Sequence, residues 1–363
     1  MNKAYKFRLY PNNEQKKLIN KTFGCVRFIY NKMLSDRIDY YEDTGKSLNN
    51  SPAMYKTEYE WLKEVDSLAL ANAQLNLNKA YKNFFRTPSI GFPKFKSKKR
   101  NHFSYTTNYV NNNIRIEGKH LVLPKLKGVK VKQHRQIPED YNLKSVTIGK
   151  TPTGKYYASI LYEYDEKIEK VEISQAIGLD FSMKELYVGS DGNSAYYPKY
   201  YIKSLDQLKK LSKQLSNCKK GSKNRKKLRL KVAKLHEKVA NQRKDFLHKH
   251  SRQIVNVYDV VCVEDLNMKA MSKSLKFGKS VMDNSYGAFL SMLEYKLKEQ
   301  GKHLIKIDKW FPSSKKCSSC EYVKSELLMS ERIYICDACG LVLDRDYNAS
   351  INIKEEGLRQ LLA

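Results

Sequence analysis

At 363 residues the chain can bury a substantial core in two or three structural units. Its 68 Lys and Arg against 38 Asp and Glu leave a formal charge of +30, which calls for a polyanionic partner. With no apolar run of about 18 residues, no signal peptide and no lipidation box, that partner is expected to be nucleic acid rather than a membrane. Seven cysteines, four of them in two C-x-x-C pairs and Cys25, Cys218 and Cys262 single, fit a reducing cytosol with one metal site.

The opening NKAYKFRLYPNNEQ alternates polar and apolar residues up to Pro11 and predicts a strand, followed by a helix through QKKLINKTFGCVRFIYNKMLSDRIDYYE. SLALANAQLNLNKAYKNFFR predicts a second helix, with Leu70, Gln74, Leu77, Tyr81 and Phe84 near one face. GFPKFKSKKRNHFSY reads as a basic, Pro-punctuated loop. Residues 103 to 170 then change to short alternating runs, IRIEGKHLVLP, KSVTIGK and KYYASILYEY, which predict a β-rich unit with hairpins. The first strand has no other strand near it in sequence, so it is expected to join this sheet with the helical segment as an insertion.

From EISQAIGLDFSMKELYVGSDGNSAYY onward a buried strand is followed by a second, with a turn signal at Asp191 and Gly192. A long basic helical region comes next. Between Lys203 and Arg252 there are 18 Lys or Arg and three acids, beside a narrow apolar seam of Leu228, Val232, Leu235 and Val239. A solvated helix face is the plain reading of such a run, and the excess of one sign favours a nucleic-acid surface. NVYDVVCVEDLN, SYGAFLSMLEYKLKEQG and HLIKID predict strand, amphipathic helix and strand, which gives this half an α/β order.

Cys317, Cys320, Cys336 and Cys339 read C-x-x-C, fifteen residues, C-x-x-C. Two such knuckles supply four thiolates for a tetrahedral Zn²⁺ site, which leaves no open position and so reads as a structural staple rather than a reaction centre. Three acids are harder to explain structurally. Asp180 ends AIGLD, Glu264 ends VVCVE, and Asp346 lies in LDRDYNAS where a helix begins. Acids at the ends of buried strands face the crevice where α/β sheets bind ligands. Three of them would repel one another unless divalent cations intervened, and paired Mg²⁺ ions about 4 Å apart serve phosphodiester hydrolysis. Each acid alone is weak evidence, since Asp346 could be a helix cap and Glu264 and Asp265 ordinary turn residues. No P-loop occurs.

Together these motifs resemble the TnpB family, transposon-encoded nucleases related to the type V CRISPR effectors. The resemblance runs along nearly the whole chain through KAYKFRLYPNNEQ, FGCVRFIYNKML, KAYKNFF, GFPKFKSKK, IGLDFSMKELYVGSDG, VCVEDLNMKAM, WFPSSKKCSSC, CDACG and LDRDYNASINI. It implies an α/β fold with further α and β parts. An RNase H-like (RuvC) nuclease domain would span 173–310 and 341–363, with a zinc-binding knuckle inserted at 311–340. A wedge-like β-barrel would span 1–10 and 103–172, with a helical recognition domain at 11–102.

The activity implied is RNA-guided, metal-dependent cleavage of double-stranded DNA beside a short adjacent motif, in a prokaryotic cytosol. Its parts would be a guide RNA derived from the transposon end, structural Zn²⁺, and Mg²⁺ on Asp180, Glu264 and Asp346, with Asp344 the other candidate for the third acid. No obligate protein partner is implied. Gln74 and the basic loop with Lys94, Lys96, Lys98, Lys99 and Arg100 are candidates for reading the adjacent motif, and Lys226 and Arg229 for contacting nucleic acid from the basic helices. Two residues depart from the pattern: Ser182 stands where many relatives have Gly, and Glu321 follows Cys320 where such knuckles often place Gly. The alternative function is a DNA-binding transposition accessory or a guided repressor without cleavage, and the presence of all three acids favours the enzyme.

Overall fold

A computed structural model of the chain describes residues 1–99, 103–165, 168, 169, 171–268, 270, 271, 278, 283–328 and 330–363. The chain divides into two compact units, 1–166 and 167–363.

In the first unit, β1 (Asn2–Tyr10) turns Tyr5, Phe7 and Leu9 to the core at every second residue. It leads into α1 (Asn13–Thr44), which starts at a reciprocal cap: Asn12 accepts from the Gln15 N–H at 2.8 Å, and the Gln15 side chain accepts from the Asn12 N–H at 3.0 Å. The next helix, α2 (Ser67–Arg86), is capped by Asp66 and buries Ala69, Leu70, Ala73 and Leu77, in a core shared with α1. Then come β2 (Phe103–Asn108), β3 (Arg115–Glu117), β4 (His120–Leu123), β5 (Lys127–Lys132), β6 (Asn142–Lys150) and β7 (Tyr156–Glu163). All seven strands pair antiparallel in the order β2-β6-β7-β1-β5-β4-β3. The N-terminal strand thus lies mid-sheet between β7 and β5, with both helices inserted between it and β2. The sheet is consistent with a half-barrel whose edges are β2 and β3; no pairing joins those edges among the described residues.

The second unit holds a sheet of β8 (Ala176–Phe181), β9 (Tyr187–Gly189), β10 (Val260–Glu264) and β11 (His303–Ile307), in the order β11-β10-β8-β9. The three strands β8, β10 and β11 are parallel, and β9 is antiparallel to β8. Between β9 and β10 run α3 (Tyr200–Asn217) and α4 (Lys223–Val257), two helices packed against each other; α5 (Tyr286–Glu299) joins β10 to β11. After β11 a small two-stranded piece, β12 (Ile333–Ile335) and β13 (Val342–Asp344), precedes α6 (Arg345–Leu362).

Helices cover both faces of this sheet, which is why VVCV reads as an unbroken apolar run instead of alternating. Val261 and Val263 pack with Ile254 and Val255 of α4 and Phe289 and Leu293 of α5. On the other face Val260, Cys262 and Ile307 pack with Ile353 of α6. The half of α4 that carries the seam is different: upstream of Leu247 only Val239 is buried, and α3 buries only Leu208, so most of the basic surface of these two helices stays in solvent.

Candidate active site

Parallel pairing of β8 and β10 sets Val263 beside Leu179, so the next residues, Asp180, one short of the end of β8, and Glu264, the last of β10, lie side by side. The third acid arrives on α6. This helix lies unusually close to the sheet because two glycines face it or belong to it: a Cβ on Gly178 would be 2.1 Å from the Ser350 carbonyl oxygen, and one on Gly357 would be 2.3 Å from Cys262 Sγ. One turn before Ser350, Asp346 comes close enough to Asp180 for their charges to interact. The capping role falls to Asp344, whose carboxylate accepts from the N–H groups of Asp346 at 2.9 Å and Tyr347 at 3.0 Å. Asp346 is therefore not the cap, and its side chain is left for other work.

Burial raises the Asp180 carboxyl well above the ordinary carboxylate range, the charges of Glu264 and Asp346 raise it further, and Arg345 opposes them. Burial also raises Glu264, against a hydrogen bond donated by the Ser313 hydroxyl. Asp346 is flanked by two cations, with Arg345 Nη2 at 3.1 Å and Arg332 Nη1 at 3.8 Å. Next to the acids, the buried hydroxyl of Tyr286 has no hydrogen-bond partner among the described residues, and its ring packs 4.8 Å from that of Phe181. Carboxylates that resist ionising together are stabilised by divalent cations, and their hard oxygens suit Mg²⁺. They do not close as tightly as a one-ion cage: among the described residues only the four cysteines bring ligand atoms within 4.8 Å of one another.

In the knuckle, Cys317 Sγ lies 3.7 Å from Cys339 Sγ and Cys320 Sγ lies 3.5 Å from Cys336 Sγ. Four sulfurs each about 2.3 Å from a zinc ion at the centre of a tetrahedron are about 3.8 Å apart, so the donor set fits Zn²⁺. Burial works against the Cys336 thiolate, but hydrogen bonds from the backbone N–H groups of Cys339 and Ala338 and from the Cys320 and Cys339 thiols together lower it to about 6. Both pairs are followed by a residue of positive φ, Gly340 at 75° and, without glycine's freedom, Glu321 at 64°.

Sequence reasoning did not find the residues that join these two centres. Asn348 and Asn352, one turn apart on α6, hold the start of the knuckle: Asn348 donates to the Lys316 carbonyl at 2.8 Å and accepts from the Ser318 N–H at 3.0 Å, and Asn352 donates to the carbonyls of Ser313 and Lys316 at 2.8 and 2.7 Å. Ser313 in turn bonds Glu264. Asp283, also missed, is buried and accepts from Tyr197 Oη, the N–H groups of Tyr201 and Ile202, and Arg243. It caps α3 from a distance, since Lys199 at that helix's start offers no side-chain cap. The only sequence signal for these contacts is the i, i+4 spacing of two asparagines on one helix face.

The nucleic-acid candidates are scattered over surfaces rather than gathered. Gln74 Nε2 already donates to the Asn50 carbonyl at 3.0 Å. Lys94, Lys98 and Lys99 are exposed, whereas Lys96 is held to α1: its N–H and C=O bond the Asn31 side chain, its Nζ sits 3.9 Å above the Tyr30 ring, and burial lowers its pKa. Lys226 and Arg229 are exposed on α4. Arg100 lies outside the described residues.

Three family models match the chain: one described as a probable transposase over residues 159–275, a helix-turn-helix domain over 1–46, and a Cas12f1-like TNB domain over 286–353. Within 1–46 the structure has one strand and one unbroken helix, so the second description does not fit its geometry. A Streptomyces pristinaespiralis protein named "Putative RNA-guided DNA endonuclease" is 36% identical over 98% of this chain and 89% of its own length. A protein of the same name, InsQ, from Escherichia coli K12 is 28% identical over 98% and 92%. Among solved structures, the Cas12f1–sgRNA–target DNA complex superposes with a TM-score of 0.61 at 14% identity, covering 98% of both chains.

The fold is therefore that of a compact type V effector, an open antiparallel sheet with inserted helices followed by an α/β unit that carries a cysteine knuckle. The chain belongs to the TnpB family, the transposon-encoded nucleases related to those effectors.

Proposed function

We propose that the chain is an RNA-guided DNA endonuclease whose reaction centre is Asp180, Glu264 and Asp346. The observation that carries this reading is the convergence of three carboxylates from β8, β10 and the first turn of α6, two of them pushed toward the neutral form, in a chain of charge +30. Such a site is arranged for cations and a phosphodiester and is costly for anything else. The second unit is read as the RNase H-like, RuvC-type nuclease domain over 173–310 and 341–363, with the zinc knuckle at 311–340. The sheet formed by 1–10 and 103–172 is read as the wedge, and 11–102 as the recognition part.

Bound Mg²⁺ would supply an activated water and charge neutralisation at the scissile phosphate. The chain's own residues do the rest. Asp180 and Glu264 are held side by side by the strand register, Ser313 fixes the Glu264 carboxylate, and Asp344 takes the capping load that would otherwise divert Asp346. Arg345 and Arg332 balance Asp346. The knuckle, whose four cysteines would hold Zn²⁺, is tied to the start of α6, and so to Asp346, through Asn348 and Asn352. Sequence is read by guide RNA pairing with one strand of the target duplex, while the protein holds the heteroduplex by its backbone and reads a short adjacent motif. Gln74, Lys94, Lys96, Lys98, Lys99, Arg100, Lys226 and Arg229 are proposed contacts in that work. No helix among the described residues is long and apolar enough to cross a membrane.

Substituting Asp180 by Ala tests the assignment. Cleavage of a guided duplex is expected to fall by orders of magnitude while guide RNA and DNA binding persist. Cleavage at the parental rate would overturn it and favour the reading of a binding protein.

A further inference from the structure

The segment between β11 and the knuckle stands on one residue. At its start Ile307, the last residue of β11, pairs in register with Glu264, and at its end the Ser313 hydroxyl bonds the same carboxylate. Phe311 is half-buried against the core that includes Ile307 and Ile353, and Ser313 is buried. Trp310, between these anchors, is 79% exposed. Its backbone is fixed, with the N–H donating to Asp308 Oδ1 at 2.7 Å and the Phe311 N–H donating to the Asp308 carbonyl at 3.1 Å. The Lys309 ammonium lies 4.8 Å from the centre of the indole ring.

An indole left this open forgoes a large apolar contribution, while Ile307, Phe311 and Ser313 of the same segment are the ones turned in. Trp310 is three residues from Ile307 and three from Ser313, so by chain reach its Cα is at most about 11 Å from either residue that touches Glu264. Trp310 therefore presents a flat, cation-flanked ring on the segment anchored at both ends to Glu264. The Lys309 ammonium at its face disfavours a basic partner and favours a phosphate-linked one. Every nucleobase has a face that stacks on an indole regardless of sequence, which suits an enzyme whose sequence reading is delegated to a guide.

We propose that Trp310 is a stacking platform for an unpaired base of the DNA strand led to the acid cluster. The inference rests on the endonuclease reading for what that strand is, but its test does not depend on cleavage. The chain has two tryptophans, and Trp61→Phe leaves Trp310 as the sole indole. In the full chain with its guide RNA, carrying Trp61→Phe and Asp180→Ala, a thymidine oligomer is titrated while indole emission and the anisotropy of a label on the oligomer are followed together.

Saturable quenching that tracks the anisotropy is expected with the single strand and not with a fully paired duplex. Trp310→Ala is expected to weaken single-strand binding about tenfold, with Trp310→Phe keeping most of it. In the Asp180-intact protein, Trp310→Ala should raise KM for cleavage far more than it lowers kcat. Oligomer binding at unchanged emission, or the same affinity and KM in Trp310→Ala, would overturn the platform while leaving the nuclease assignment standing. Emission that ignores DNA and shifts with protein concentration would overturn it in favour of a contact between copies. A wild-type protein that cuts nothing, with quenching intact, would instead fail the endonuclease reading alone.

Discussion

Gly178 of β8 and Ser350 of α6 meet backbone to backbone, so that a Cβ on the glycine would lie 2.1 Å from the serine carbonyl oxygen and 2.6 Å from the Lys354 nitrogen. The obstacle is main chain in the middle of a helix and cannot rotate away. Gly178→Ala must push α6 outward by about 1 Å to reach an ordinary contact, and Asp346 rides on that helix. Misplacement of that size at a reacting centre costs about a hundredfold in rate. Cleavage by Gly178→Ala is expected to fall at least that far, with a lowered melting temperature; activity within twofold of the parent would show that Asp346 needs no such placement.

Ser313 is the link between Glu264 and the knuckle segment, and its hydroxyl lowers a carboxyl that burial raises. Removing it in Ser313→Ala lets burial act unopposed, so the Glu264 pKa moves up. The ionised fraction then appears at higher pH. The acid limb of the pH–rate profile is expected to shift to higher pH, with the alkaline limb unchanged and zinc content at one per chain. A profile that merely scales down without moving would assign Ser313 to packing alone.

How much of this could be read in the sequence depends on whether a residue's partner lies within its own element. β1 and α1 were legible because alternation, Pro11 and the Asn12–Gln15 cap are local signals. Asp180 and Glu264 could be placed because each ends an apolar run that can only be a strand buried on both faces. Asp346 was ambiguous: two acids flank Arg345, and only the hydrogen bonds from Asp346 and Tyr347 to Asp344 separate cap from candidate ligand. The open edges of the seven-stranded sheet follow from long-range pairing that no local pattern encodes. Ser313 was illegible for the same reason, since Glu264 is 49 residues away and a serine in PSSKK has no distinguishing spacing.

The knuckle is tied to the acids through Asn348, Asn352 and Ser313, so its loss should not be local. Stripping the metal with a strong chelator, or Cys336→Ser, is expected to lower the melting temperature and abolish cleavage together. Thermal melting and cleavage of the same samples check this. Lost cleavage at an unchanged melting temperature would break the coupling.

Glu321 holds a φ of 64° that glycine adopts freely and other residues adopt at a cost of roughly 1–2 kcal/mol. Its ion pair with Lys316, at 2.7 Å, is exposed on the glutamate side and offsets little of that. Glu321→Gly is expected to stabilise the knuckle by about 0.5–1 kcal/mol after the unfolded chain's added freedom is counted. The readout is a slower loss of zinc to a chelator. Faster loss would mean that the Lys316 pair, not the backbone, governs this turn.

Lys296 is buried on α5 at 3% exposure, donating from Nζ to the His248 carbonyl at 2.9 Å and to Ser251 Oγ at 2.6 Å. Burial and then Arg252 bring its pKa from 10.5 down to about 8, against Glu299. A base depressed in the folded state binds fewer protons there than in the unfolded chain, so between about pH 8 and 10.5 stability rises with pH from this group. Lys296→Met removes the titration and keeps most of the volume. Lost hydrogen bonds lower its stability by an amount independent of pH, whereas the wild type alone gains on going from about pH 7 to about pH 9.5, by roughly 2 kcal/mol. Subtracting the urea unfolding free energies of the two proteins at each pH cancels every other titrating group. The wild-type advantage should widen as pH rises. A difference that stays flat would mean that Lys296 titrates near its ordinary value and that the carbonyl of His248 and the hydroxyl of Ser251 fully replace the water its ammonium gives up.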